Sequence, residues 1–112
     1  MDASFSKIAK TPEPPYYSVT FTSLKRKSCP GYEDTAVEME TLAKSMPGYL
    51  GFESCSSDVG ISISYWKTLE DVKRWKHHPS HVAAQQTGKE IWYHEYKVRI
   101  AKVERDYGFE AI

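Results

Sequence analysis

Between Tyr65 and Tyr96 the sequence concentrates side chains suited to proton transfer and to holding flat ligands. His81 is the leading candidate for a general base or hydrogen-bond donor, because an unperturbed imidazole changes charge near neutral pH. Ser80 to Trp92 reads as helical, and spacings of three and four put His81, Gln85, Gly88 and Trp92 on one face. A histidine, an amide and an indole would then sit together over a sheet. Trp75 and Trp92 offer pocket walls, and Tyr65 offers a phenol that can donate to a developing oxyanion. With Phe21, Gln85 and Trp92 as lining, the expected site is His81, Trp75 and Tyr65 acting in an aromatic pocket. Each residue also has a plainer use. His81 suits a hydrogen-bonded core edge, the tryptophans suit core packing, and Tyr65 suits a half-buried strand position.

Two further clusters carry less chemistry. His77 and His81 have the i,i+4 spacing of a metal pair, but Pro79 lies between them and no HExxH pattern is present. No metal is assigned. Lys25-Arg26-Lys27 lacks a glycine-rich frame for phosphate and reads as a solvated turn.

The elements that must position these residues follow from periodicity. Tyr16 to Leu24 alternates as a strand, with Tyr17, Val19 and Phe21 on one side. From Tyr32 to Met46, apolar residues recur at helical spacing, and Pro47-Gly48 stops the helix. Tyr49 to Ser56 and Ile61 to Trp66 read as a hairpin about Ser57-Asp58-Val59-Gly60. Thr68 with Asp71 forms an acidic capping box for a helix carrying Leu69, Val72 and Trp75. His78-Pro79 breaks that helix, and Ser80 is expected to cap the next piece. Glu95 to Val103 is the last strand, and Arg105 to Ile112 is a tail with apolar Tyr107 and Phe109. The order β-α-β-β-α-β predicts an α+β, ferredoxin-like domain over residues 16–112, with helices on one face of an antiparallel sheet. Residues 1–15 form a proline-rich arm, ordered only where it packs on something.

The strand alternation assigns Val19, Phe21, Ile61, Ile63, Val98 and Ile100 to the core face. The other face then carries Ser18, Thr20, Ser62, Ser64 and Ala101, with Trp66, Val103, Lys97 and Arg99. Small, mostly uncharged residues there suit sheet-on-sheet contact with a second copy. Composition agrees with self-association. The 15 basic and 15 acidic residues cancel, which also argues against nucleic-acid or anionic-membrane binding. No apolar run approaches the roughly 18 residues needed to span a bilayer. Met1 to Pro15 has no signal-type stretch, so the expected location is cytoplasmic. Cys29 and Cys55 make no CxxC pair and read as free thiols.

Residue strings within these elements resemble a known family. Tyr16-Tyr17-Ser18-Val19-Thr20-Phe21, then Pro47-Gly48-Tyr49-Leu50-Gly51-Phe52, then Tyr65-Trp66 followed by Trp75 and His81, are similar to the antibiotic biosynthesis monooxygenase domain. Trp92-Tyr93, Tyr96, Val98-Arg99 and Val103 to Phe109 resemble a bacterial subgroup of it. The resemblance implies a homodimeric α+β barrel with facing sheets and a cofactor-independent monooxygenase. Its substrate would be a small aromatic or quinol-type molecule, deprotonated so that it supplies its own electrons to oxygen. Haem-degrading relatives carry an axial histidine where alignment on Trp75 places Gln85, a poor haem ligand, so no cofactor is expected. A non-catalytic dimeric ligand-binding or sensing module of the same fold is the alternative.

Overall fold

The computed structural model describes residues 7–112; the part of the expected arm before Lys7 lies outside the described residues. Strand β1 (Tyr16–Lys25) leads to helix α1 (Tyr32–Lys44). Strands β2 (Tyr49–Ser56) and β3 (Gly60–Trp66) form the hairpin. Helices α2 (Leu69–Lys76) and α3 (Pro79–Thr87) follow, then a π-helical turn Gly88–Trp92 and strand β4 (Tyr93–Val103). The sheet order is β2-β3-β1-β4 with every pairing antiparallel, which is the ferredoxin-like arrangement expected.

Local chemistry explains the joints. Met46 to Tyr49 make a tight turn with Pro47 second and Gly48 third, Gly48 holding φ 81°. A Cβ on Gly48 would also lie 2.0 Å from the Asp71 carboxylate. Asp71 cannot move aside easily. It is buried, accepts from the Thr68 hydroxyl at 2.8 Å and from Arg74 at 2.7 Å, and its own N–H donates to Thr68 at 3.1 Å. Gly48→Ala is therefore expected to lower stability by about 2–3 kcal/mol through left-handed strain plus displacement of this cap. Urea unfolding would measure it. At α3, His78 rather than Ser80 is the cap. Its Nδ1 accepts from the Ser80 N–H at 3.1 Å, and Pro79 takes the first helical position, where no N–H is needed.

The core corrects the expected faces of β3. Tyr17 and Val19 pack against a buried cluster of Ala43, Trp66, Val72 and Trp75. Register pairs Tyr17 with Trp66, Val19 with Ser64 and Phe21 with Ser62, so Trp66, Ser64 and Ser62 face the helices. Ile61, Ile63 and Tyr65 therefore lie on the outer face, beside Thr22, Thr20 and Ser18. Trp66 decides the phase. Its side chain is 0% exposed, and strand alternation forces its neighbours to follow. On β4 the expectation for Val98 and Ile100 holds, since they pair with Phe21 and Val19. They remain 44% and 48% exposed, because the helices stand over the other strands.

The arm is held where it is described. The Ala9 N–H donates to Glu53 at 3.0 Å, and the Thr11 hydroxyl bonds Tyr16 at 3.0 Å. Gly51 is needed for this passage, since a Cβ there would lie 2.8 Å from that of Ala9.

Candidate active site

The helix side of the sheet carries a column of rings. Tyr49 meets the edge of Trp66 at 5.7 Å, Trp66 stacks on Trp75 at 6.0 Å, and Trp75 stacks on His81 at 4.2 Å with ring planes 12° apart. The break at Pro79 turns α3 back so that His81 can lie flat on the indole of the preceding helix. His81 Nδ1 is 3.0 Å from the Trp75 carbonyl oxygen. A carbonyl only accepts, so Nδ1 carries the proton and donates, and Nε2 is left with the lone pair. Burial pushes the His81 pKa below its usual value. The bond to the Trp75 carbonyl opposes that shift, and His78 adds to it. The imidazole is thus neutral at pH 7 with a basic Nε2. Gln85, one turn on, places its amide nitrogen 3.4 Å from His81 Nδ1.

A second aromatic group lies at the β4 side. Phe21 contacts Tyr93 at 5.2 Å and Tyr96 at 5.0 Å, and Tyr32 meets Trp92 edge-on at 5.3 Å. Tyr93 and Tyr96 share this side because the β1–β4 register shifts between Leu24 and Lys25, which skips His94. Burial first, and then the hydrogen bond with Tyr32, push the Tyr93 pKa up. Tyr32, Tyr93 and Tyr96 are absent from the expected site. A strict period of two hides Tyr93, and only the bulge brings it in.

Of the expected residues, the structure brings His81, Trp75 and Gln85 together, and Phe21 with the aromatic group that holds Trp92. It does not bring Tyr65 to them. Tyr65 is on the outer face, donates to Glu53 at 2.7 Å, and has its pKa pushed up by burial and that carboxylate. Trp92 is fixed by its own bond, its indole N–H donating to the Pro30 carbonyl at 2.8 Å.

The basic turn also takes on structure. Arg26 donates to the carbonyls of Tyr93, Glu90 and Lys89 at 3.0, 2.8 and 3.0 Å, and its backbone N–H donates to Trp92 at 2.7 Å. A cation at the end of a helix satisfies carbonyls that have no intrahelical partner. Arg26→Ala should loosen the π-helical turn and cost about 1–3 kcal/mol, seen as faster amide exchange from Gly88 to Tyr93. Beside this turn, Thr35 and Met39 of α1 and Ser80, Ala84 and Thr87 of α3 line a groove of about 260 Å³ together with Trp92.

Comparison with known proteins fits this arrangement. The sequence profile described as "Antibiotic biosynthesis monooxygenase" matches residues 16–87. The chain belongs to this family. A Bacillus subtilis relative, the uncharacterised protein YqjZ, is 45% identical over 105 residues, covering 92% of each chain. Among solved structures, SnoaB, a cofactor-independent oxygenase from Streptomyces nogalater, aligns with TM-score 0.67 at 7% identity, covering 88% of this chain and 100% of its own. Rv0793 from Mycobacterium tuberculosis aligns with TM-score 0.73 at 9% identity, covering 83% and 99%. At such identities these two share the fold of this family member and nothing finer. Among the described residues no helix is long and apolar enough to cross a membrane.

Proposed function

We propose that this chain is a homodimeric, cofactor-independent monooxygenase for a small aromatic or quinol-type substrate, with His81 as its base. The imidazole stacked on Trp75, its Nδ1 held 3.0 Å from a carbonyl oxygen, is the observation that carries the reading. Nε2 would take the phenolic proton. The substrate anion would pass electrons to oxygen and form a carbon–oxygen bond, and one oxygen atom would leave as water. Trp75 would supply the aromatic wall beside His81 and Gln85 a polar amide, while Phe21 and Trp92 belong to the separate aromatic group at the β4 side. Tyr65 has no part in the proposal on the helix side. Membership of a typically dimeric family and the outer face of Ile61, Ile63, Ser18, Thr20 and Thr22 support the dimer.

Oxygen uptake with small hydroquinones tests the reading. Turnover should be present in the native chain and lost in His81→Ala. A second reading, a module that binds such a ligand without turnover, is favoured by one observation. Trp66, Trp75 and Tyr49 already fill much of the helix–sheet space. Saturable binding of a hydroquinone with no oxygen uptake would select it.

A further inference from the structure

The end of the chain is held in a way that leaves its apolar side chains without cover. Tyr16, only 4% exposed, donates its hydroxyl to Asp106 and also bonds Thr11 of the arm. One buried phenol thus ties the arm and the tail to the same corner of the outer sheet face. Glu53 closes the neighbouring part of that corner, taking the Ala9 N–H on one carboxylate oxygen and the Tyr65 hydroxyl on the other. Just past Asp106 the tail presents Tyr107 and Phe109 at 89% and 93% exposure. At the opposite end of the same face, register aligns Cys55, Ile61, Thr22 and Lys97 in one row across the sheet. That row is open, with Ile61 at 43% exposure and Cys55 exposed.

Tyr107 and Phe109 cannot cover this row on their own chain. Asp106 is clipped beside Tyr16, and Phe109 stands three residues on, a reach of about 10 Å at most. Tyr16 to Thr22 spans six residues of strand, about 20 Å. A second copy removes the mismatch. A two-fold axis crossing the strands, with outer faces opposed, lays one copy's Tyr16 corner over the other's Thr22 row.

We propose that residues 107–112 are an exchange segment, with Tyr107 and Phe109 of each copy packing on the Ile61–Cys55 end of the other's outer face. The inference rests on the dimer in the proposed function and is independent of any catalysis. Its geometry makes native Cys55 a reporter. Under mild oxidation the full-length Phe109→Cys variant should form a covalent dimer whose peptides carry a 55–109 linkage, lost when Cys55→Ser is added. The full-length double variant Tyr107→Ser, Phe109→Ser should dimerise about tenfold more weakly by light scattering or ultracentrifugation. A 55–109 linkage within one chain, a 109–109 linkage in its place, or an unchanged dimer constant in the double variant overturns the exchange while leaving the dimer standing. A native chain that stays monomeric at all concentrations overturns both.

Discussion

Trp66→Ala should remove about 3–5 kcal/mol of folding stability, the largest loss expected from any single truncation in this chain. Its indole is 0% exposed and touches Tyr49 edge-on and Trp75 face-on, with Ala43 and Val72 in the same cluster. Removing it loses the transfer free energy of a large aromatic surface. The space left is bounded by two rigid rings and two helices that cannot close in. The indole N–H also donates to the Ser64 hydroxyl at 2.8 Å, and that acceptor would be stranded on the helix side. A domain of this size holds roughly 5–15 kcal/mol in all, so the loss is a large fraction of the total. Urea unfolding by tryptophan-independent circular dichroism would read it as a lower midpoint with little change in slope. Ile61→Ala is the informative partner. Alternation alone would make it a core truncation of comparable cost, whereas the register exposes Ile61 on the outer face. Any cost of Ile61→Ala should instead depend on protein concentration, because that face is proposed to meet a second copy. A concentration-independent loss matching that of Trp66→Ala would refute the assignment of faces.

That pair of residues also shows what could be read without coordinates. Element order and fold class were legible because each strand and helix carries its own period and its own punctuation. Pro47-Gly48, Thr68 with Asp71, and His78-Pro79 mark three of the joints. The phase of β3 was not legible. Ile61, Ile63 and Tyr65 alternate as convincingly as Ser62, Ser64 and Trp66. Only the size of the Trp66 indole and the partner Trp75, a helix away, settle which set goes inward. The candidate site divides along the same line. His81 and Gln85 were legible as neighbours because a single helix sets their spacing. The place of Tyr65 depended on the phase of β3 and went to the other face. Arg26 looked like a solvated charge because its three carbonyl partners lie more than sixty residues away in sequence. The arm depended on Glu53 and Gly51, whose service to Ala9 leaves no trace in a local pattern.

His81→Ala should lower kcat/KM for oxygen uptake about 100-fold to 10,000-fold, the usual contribution of a positioned base. The pH dependence separates a base from a merely structural ring. Burial lowers the folded pKa of His81 below the ordinary value near 6.5. Native activity should therefore rise through an acidic limb centred below that value and stay flat above it. The limb should vanish from whatever activity His81→Ala retains. Stability has the same sign. As pH falls, the unfolded chain takes up this proton first, since its imidazole has the higher pKa. The contribution of neutral His81 is whole above the unfolded pKa and is lost as pH falls through the folded one. His81→Ala should accordingly lose less stability between pH 7 and pH 5 than the native chain does. The two readouts can part company. A flattened stability profile with oxygen uptake and its acidic limb intact would leave His81 as a buried, stacked ring and remove it as the base. Loss of uptake with an unshifted thermal midpoint at pH 8 would assign the proton transfer to the His81 ring. Trp75→Phe is the companion test, because a smaller ring still stacks on the imidazole and leaves the carbonyl that fixes Nδ1 untouched. That variant should keep the acidic limb while losing only a few-fold in rate.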